Sequence, residues 1–218
     1  MNCLLVAATV KEISAFLDHY RNTNKTVFVD INIDILITGV GLTATTYSLT
    51  RQLGFKKPDL VIQVGIAGCF DKNVPLGSLV AIKRDVIADE SVIESNAMKT
   101  LFDLKLIEKN QFPYKNGWLV NPDNGIFKRN KYKAVNAISV NHISTERKIV
   151  KYYTEKFNPV VESMEGAALH YVCLSEKIPF LQLRAVSNYI GERNKKNWKI
   201  KDAITSLNKE LIRLLESL

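Results

Sequence analysis

The sequence predicts an α/β fold with a mixed, largely parallel central β-sheet flanked by helices. Short continuous apolar runs alternate with amphipathic stretches, as expected when helices connect strands that are buried on both faces. The chain of 218 residues is 46% apolar and 24% charged, which is the balance of an ordinary globular protein. At this length a single domain, residues 1–218, can bury enough surface to fold without disulfides or metal staples.

Glycines mark the ends of predicted elements in the N-terminal half. The apolar run at 2–8 predicts the first strand, and Gly39-Val40-Gly41 ends a stretch in which alternate isoleucines indicate another. A buried strand at 59–64 is predicted to run into a glycine turn at Gly65-Ile66-Ala67-Gly68. The other predicted elements of this half are strands at 27–38 and 79–82 and helices at 11–20 and 42–53.

The second half begins with an irregular segment and then alternates regularly. Residues 94–125 carry Pro113 and Pro122 with weak periodicity, which predicts an excursion or a flexible loop and not a second core. A cap at Ser144 or Thr145 is predicted to start the next helix. The remaining predicted elements are strands at 132–140, 160–161 and 180–186 and helices at 145–157, 163–174 and 202–218, the last one amphipathic.

Composition restricts the classes of partner. The 30 Lys and Arg against 22 Asp and Glu give a net charge of +8, which favours anionic ligands. These basic residues lie in short scattered groups, such as 128–133 and 193–201, so no nucleic-acid partner is expected. No segment is apolar enough for a membrane span or a signal peptide, so we expect a cytoplasmic protein with no membrane partner. The cysteines are predicted to be reduced and buried; they are Cys3, Cys69 and Cys173.

Four groups of residues at predicted strand ends could form a site. Parallel sheets bind ligands beyond the carboxyl ends of their strands, where these groups are expected to converge. Gly39-Val40-Gly41 lacks the third glycine of a dinucleotide fingerprint and the Gly-Lys-Ser/Thr of a P-loop, so it predicts a tight turn and no nucleotide cofactor. The four groups are Glu12, Gly65-Ile66-Ala67-Gly68, the run from Glu162 to Ala168, and Ser187-Asn188.

Taken in order, these motifs resemble the nucleoside phosphorylase and nucleosidase superfamily over nearly the whole chain. Within it, the chain resembles the methylthioadenosine/adenosylhomocysteine nucleosidase branch, and the residues that follow Ser187, together with Trp198, are most like those of the futalosine hydrolases. The matching motifs are Ala7-Ala8-Thr9-Val10-Lys11-Glu12, Thr38-Gly39-Val40-Gly41, Gly65-Ile66-Ala67-Gly68, Ser163-Met164-Glu165-Gly166-Ala167-Ala168 and Arg184-Ala185-Val186-Ser187-Asn188.

The resemblance implies a three-layer nucleoside phosphorylase-like fold and a purine nucleosidase that needs neither cofactor nor metal. The substrate would be a small-molecule purine nucleoside, futalosine, which water cleaves to release hypoxanthine, and the protein would be a homodimer or a higher homo-oligomer. The alternatives are a methylthioadenosine/adenosylhomocysteine nucleosidase, a phosphorolytic enzyme, and a nucleoside-binding sensor without activity. Phosphorylases of this superfamily usually carry an arginine near the Gly-x-x-Gly segment, and its absence between Gly65 and Phe70 favours water as the nucleophile.

The resemblance assigns the central roles to two carboxylates and an amide. Glu12 would orient and deprotonate the attacking water, although by itself a carboxylate there could simply begin a helix. Glu165 would accept hydrogen bonds from the ribose 2′ and 3′ hydroxyls, with Met164 against the sugar, unless Glu165 lies on a solvated helix face. Asn188 cannot protonate a purine, but its amide can donate to N7 or to a 6-oxo group, which favours hypoxanthine as the leaving group.

The remaining predictions concern contacts with the rest of the substrate. Arg193, close to Trp198 in sequence, could face the carboxylate of the futalosine side chain, although a solvated loop is the alternative. Asn141 resembles the segment that covers the purine face, and Glu162 stays open between a structural and a supporting role. Glu12 and Asn188 are therefore predicted to be catalytic, and the predicted substrate-binding residues are Ile66, Ala67, Gly68, Asn141, Ser163, Met164, Glu165, Ser187 and Arg193.

Overall fold

A mixed β-sheet with helices on both faces forms the centre of the protein, which confirms the predicted fold class. The computed structural model describes residues 1–23, 28, 31–94, 97–122, 125 and 132–218. In that part of the chain the strands are β1 (Asn2–Ala7), β2 (Asn32–Ile37), β3 (Leu60–Cys69), β4 (Leu79–Asp85), β5 (Ser91–Glu94), β6 (Ala97–Thr100), β7 (Leu119–Val120), β8 (Ala134–Ser139), β9 (Val161–Ser163) and β10 (Phe180–Tyr189).

The main sheet closes on itself. Its strand order is β10-β4-β8-β9-β3-β1-β2, with β7 paired to β4. Because β10 also pairs with β3, the strands β3, β10, β4, β8 and β9 make a closed circuit from which β1 and β2 extend. The β1–β3 and β3–β10 pairings are both parallel, so the carboxyl ends of these three strands meet at one edge. That edge is where ligands of such sheets bind.

The helices form the two outer layers. Leu5 of β1 packs with helices on one face, against Phe16 and Leu211, whereas its neighbour Val6 packs on the other face against Leu169. This alternation follows from the two-residue period of a strand, and it shows that the sheet is buried on both faces. The helices are α1 (Ser14–Asn22), α2 (Leu42–Phe55), α3 (Arg147–Phe157), α4 (Gly166–Ser175) and α5 (Ile200–Glu216).

The predicted glycine turn at Gly65-Ile66-Ala67-Gly68 is wrong. β3 continues through these residues to Cys69, and β10 pairs with the whole stretch. Side chains from other residues occupy the space beside these glycines: a Cβ on Gly65 would displace the Arg184 guanidinium, and a Cβ on Gly68 would displace the end of Ile190. The turn at Gly39-Val40-Gly41 is present, with positive φ at both glycines, and it joins β2 to α2.

Helix starts differ from the predicted positions. The helix predicted from residue 163 begins at Gly166, which leaves Ser163 at the end of β9. The helix predicted from 145 begins at Arg147 with Glu146 before it, so neither Ser144 nor Thr145 is its cap. At the N-terminus a short 3₁₀ turn precedes α1. Residues 27, 29 and 30 of the predicted strand 27–38 lie outside the described residues.

The segment 94–125 contributes more order than predicted. β5 and β6 form a separate hairpin, and β7 joins the main sheet beside β4. Leu119 of β7 is fully buried, so the end of this segment belongs to the main core. All three cysteines are buried and free, as predicted. Within the described ranges, no helix combines the length and the apolar character that a membrane crossing requires.

Candidate active site

A cleft of about 300 Å³ opens at the edge where β1, β3 and β10 end. It brings together most of the residues that the sequence predicted. Ile143, Ile190 and Ile200 add an apolar wall that the sequence analysis did not assign, and Trp198, which it offered as an apolar contact for the substrate side chain, lines the cleft beside them. The predicted residues that line the cleft are Glu12, Ile66, Ala67, Gly68, Ser163, Met164, Glu165, Ser187 and Asn188.

Glu12 is held in place by three hydrogen bonds. The chain turns sharply after β1, and Thr9 donates to Oε2 of Glu12 from its backbone N–H at 3.0 Å and from its hydroxyl at 3.2 Å. The backbone N–H of Ile66 in β3 donates to Oε1 at 3.2 Å. Glu12 therefore lies within the 3₁₀ turn that Thr9 caps, close to the helix start that the simpler interpretation expected, and it also lines the cleft. A carboxylate fixed in this way still has free lone pairs for a water molecule.

Arg184 is a buried cation beside both carboxylates, and the sequence analysis gave it no role. Its side chain is 1% exposed, and Nη2 donates to Oε1 of Gln63 at 3.0 Å. Nη1 donates to Oε2 of Glu165 at 3.4 Å, directly beneath Gly65. A Cβ on Gly65 would also lie 2.9 Å from Oε1 of Glu12. A charged residue within the apolar strand at 180–186 was the signal that could have identified it.

Glu165 lies just before α4 with a side chain that is 8% exposed, so the alternative of a solvated helix face is wrong. Its Oε1 accepts a hydrogen bond from the backbone N–H of Gly41 at 3.2 Å, while Oε2 faces Arg184. The turn after β2 thus serves to hold this carboxylate. Both oxygens keep lone pairs directed at the cleft, and two acceptor oxygens suit a vicinal diol.

The amide of Asn188 has a defined orientation at the end of β10. Ser187 Oγ donates to its Oδ1 at 2.8 Å, and its Nδ2 donates to the backbone oxygen of Tyr189 at 3.3 Å. A bulge in the β3–β10 pairing sets Asn188 opposite Gly68. Because Nδ2 carries two hydrogens, one remains to be donated to an acceptor in the cleft.

Glu162 anchors the loop that borders the cleft, which resolves the role that the sequence left open. Its Oε1 accepts from the backbone N–H of Ser144 at 3.0 Å, and its Oε2 accepts from the Ser144 hydroxyl. Burial raises the pKa of Glu162. The neighbouring residue Ile143 lines the cleft, so the buried carboxylate fixes one apolar wall.

Asn141 and Arg193 do not line this cleft. The backbone N–H and the amide of Asn141 both donate to Asp89, and Asn141 lines a separate surface groove beside α2. Arg193 is exposed in the turn that follows β10. Substrate contacts by these two residues therefore stay predictions that need a ligand or a second chain.

The chain belongs to the phosphorylase superfamily, whose family model matches residues 4–218. It is 27% identical over 183 residues to futalosine hydrolase from Thermus thermophilus, with 83% of this chain and 80% of that protein covered. It is also 27% identical over 173 residues to 5′-methylthioadenosine/S-adenosylhomocysteine nucleosidase from Haemophilus influenzae, with 72% and 68% covered.

The fold is shared with solved structures of the same group. A 5′-methylthioadenosine/S-adenosylhomocysteine nucleosidase from Colwellia psychrerythraea, in complex with adenine, matches with a TM-score of 0.80 at 18% identity. The match covers 100% of this chain and 96% of that one. At 18% sequence identity, this structural match establishes the fold alone.

Proposed function

We propose that the protein is a purine nucleosidase that hydrolyses futalosine and releases hypoxanthine, a step of menaquinone biosynthesis. The observation that carries the proposal is the meeting of Glu12, Glu165 and the Asn188 amide in one cleft. Breaking an N-glycosidic bond develops positive charge on the ribose and negative charge on the purine. The cleft contains two carboxylates that suit the positive charge and an amide donor that suits the negative charge.

The sugar end supplies the nucleophile and the grip on the ribose. Glu12, fixed by Thr9 and Ile66, orients a water molecule and takes its proton, which contributes on the order of 10²–10⁴-fold. Glu165 accepts from the ribose hydroxyls, and Met164 packs against the sugar. Arg184 supplies the buried positive charge that pairs with this carboxylate.

The base end favours a 6-oxopurine. The available hydrogen of Asn188 Nδ2 can be donated to N7 as the base departs, whereas the amide has no acidic proton to transfer. Hypoxanthine is the better leaving anion, so it needs a hydrogen bond more than a proton. The relative named futalosine hydrolase supports this substrate.

A second candidate is 5′-methylthioadenosine/S-adenosylhomocysteine nucleosidase activity. The relative with that name shares the same 27% identity over a shorter stretch of 173 residues, and the apolar wall at Ile143, Ile190 and Trp198 would accept a methylthio group. Both candidates use the same reaction class, N-glycosidic bond hydrolysis. Among the described residues that line the cleft, Lys11 is the cation and it is exposed, so nothing there favours phosphate over water.

The side chain of futalosine extends the proposal beyond the cleft. Its carboxylate would be met by the exposed basic run that begins at Arg193, next to Trp198. We further propose that a second copy of the chain completes this end of the pocket in a homodimer.

The test is to offer futalosine, methylthioadenosine and inosine separately, with and without phosphate, and to identify the released base by chromatography. We expect hypoxanthine from futalosine, without a requirement for phosphate. The variant Glu165→Gln should lose this activity. The control Glu176→Gln, at an exposed glutamate just after the C-terminal end of α4, should keep it. Release of adenine alone would reject the substrate, and strict phosphate dependence would reject the reaction.

A further inference from the structure

A second group of buried polar side chains lies behind Glu165, and the proposed reaction does not use it. Asp85 ends β4, Gln182 lies in β10, and His170 lies in α4. Each of the three is 0% exposed. Burying so many polar groups is costly unless they are paired, so their arrangement requires an explanation.

The three side chains form a row, with Gln182 in the middle. A Cβ on Gly166 would collide with both Asp85 Oδ2 and Gln182 Nε2, so the carboxyl and the amide meet at that glycine. Gln182 also interacts with the ring of His170. The far side of that ring is fixed, because its Nδ1 lies 2.9 Å from the backbone oxygen of Leu119.

Atoms at the centre of the row lack partners of good hydrogen-bond geometry among the described residues. They are Asp85 Oδ2, both amide atoms of Gln182, and His170 Nε2. Asp85 Oδ1, in contrast, accepts from the Val86 backbone N–H at 2.8 Å and from Ser139 Oγ at 3.1 Å. The unpaired atoms are therefore those that face along the row.

The number of hydrogen-bond donors in the row shows which protonation state would give these four atoms partners. Since Leu119 supplies an acceptor, His170 Nδ1 must carry a hydrogen, and Nε2 of a neutral ring is then an acceptor. Gln182 can donate to that Nε2 by turning its amide, but its Oε1 then faces Asp85 and needs a donor there. A protonated Asp85 supplies it. An ionised Asp85 would leave two acceptors facing each other, unless His170 carried the proton instead.

We propose that Asp85, Gln182 and His170 form a buried relay that shares one exchangeable proton and that acts through Arg184 to position Glu165 for ribose binding. With the proton, the row is neutral and every inward-facing atom is paired. Without it, one negative charge remains behind Arg184. The effect on ribose binding rests on the proposed function, whereas the shared proton does not.

Electrostatics of the surrounding groups support the relay. Burial raises the pKa of Asp85 to about 6, and burial lowers the pKa of His170 to about 4, so Asp85 takes the proton first as the pH falls. Among the described residues, the charged group near Asp85 is Arg184 of β10. The other titratable group of the row is His170 of α4. β8 and β7 present the Ser139 hydroxyl and Leu119.

Arg184 connects the row to the cleft. Its contact with Glu165 is long, at 3.4 Å, and its Nε has no partner among the described residues. A negative charge on Asp85 would compete with Glu165 for the guanidinium. We expect that competition to weaken the hold on the ribose-binding carboxylate by about one ordinary hydrogen bond.

The proton itself can be observed without any substrate. The chain has three histidines, so ¹⁵N signals of the rings can be assigned by replacing His19 and His142 one at a time. In the unmodified protein we expect the His170 Nε2 shift and the infrared band of a protonated carboxyl to change together in one titration. Asp85→Asn should abolish both changes, and Asp18→Asn, an exposed control, should abolish neither. Independent titrations, or an ionised Asp85 with a neutral His170 throughout, would overturn the relay.

The coupling to Glu165 is tested by the pH dependence of KM for futalosine. Between about pH 5 and about pH 7.5 we expect KM to rise on the order of fivefold in the unmodified enzyme and in Asp18→Asn. KM of Asp85→Asn should stay flat over the same range. An equal rise in Asp85→Asn would overturn the coupling while leaving the proton measurement intact. If futalosine is not cleaved at all, the proposed function fails and the spectroscopic result still decides whether the relay exists.

Discussion

At the scale of single residues, one carboxylate of the cleft has a buried cation as its partner. Arg184 donates to Glu165, and its strand neighbours Leu183 and Ala185 are apolar. Removing one member of such a buried pair leaves an uncompensated charge, which typically costs about 3–5 kcal/mol. The cation is therefore as necessary to the cleft as the two acids that the motifs identified.

The amide at position 188 should determine which base is preferred. In Asn188→Asp the new acid can donate a proton toward N7 and can accept from an exocyclic amine. We expect kcat/KM for methylthioadenosine to rise relative to that for futalosine by about tenfold or more. Rates measured with both nucleosides give this ratio, and Asn197→Asp, an exposed neighbour, serves as the control. An unchanged ratio in Asn188→Asp would show that the amide does not select the base.

Residue identity could be predicted where order along the chain carries the signal. Glu12, Glu165 and Asn188 were found because each follows a strand and because together they match a family pattern. Arg184 was missed since its partners, Gln63 and Glu165, lie in other elements. The pairing of β3 with β10 brings Gln63 to Arg184, and Glu165 approaches from the start of α4; periodicity reports neither approach.

At the scale of elements, β3 is a strand that must leave space on one side. Its glycines look like a turn in the sequence because glycine usually ends a strand. Here their missing side chains make room for Arg184 of β10 and for Ile190, the residue that follows β10. The predicted start of α4, at residue 163, is too early. Ser163 belongs to β9, and its hydroxyl accepts a hydrogen bond from the backbone N–H of Gly166, where the helix begins.

Adding a methyl group to this strand should damage the site more than the fold. In Gly65→Ala the new Cβ displaces the Arg184 guanidinium and crowds Oε1 of Glu12. We expect kcat/KM for futalosine to fall by on the order of 100-fold, because small misplacements of catalytic groups are costly. Gly54→Ala is the matched control, since a Cβ there meets nothing within 4 Å. Equal activity of the two variants would contradict the role of this space.

At the scale of the whole molecule, the C-terminal helix holds the N-terminal turn that carries Glu12. Asn208 of α5 is 2% exposed, its Nδ2 donates to the backbone oxygen of Glu12 at 2.8 Å, and its Oδ1 accepts from Phe16 N–H at 2.8 Å. Residues at opposite ends of the chain therefore fix one another. The sequence predicted this helix from its apolar spacing, but a single asparagine on it gave no sign of such a role.

Cutting this connection should affect stability and catalysis together. Asn208→Ala leaves the Glu12 carbonyl and the Phe16 N–H without their partner, which should lower the free energy of unfolding by about 1–3 kcal/mol. We also expect a lower kcat, because the backbone that carries Glu12 loses its support. Urea unfolding and steady-state rates measure the two effects. Thr205→Ala, an exposed position on the same helix, should change neither. A loss of stability with an unchanged kcat would show that this helix does not support the catalytic function proposed for Glu12.

The most direct test of the mechanism is Glu12→Gln. The amide keeps the size of the side chain but cannot take a proton from water, so kcat for futalosine should fall on the order of 10²–10⁴-fold. Binding should change little, because the proposed mechanism assigns the ribose to Glu165 and the base to Asn188. Steady-state assays of the variant measure its turnover, and calorimetric titration of the same variant measures its affinity. Loss of turnover with retained affinity is the predicted result, and an unchanged kcat would contradict it.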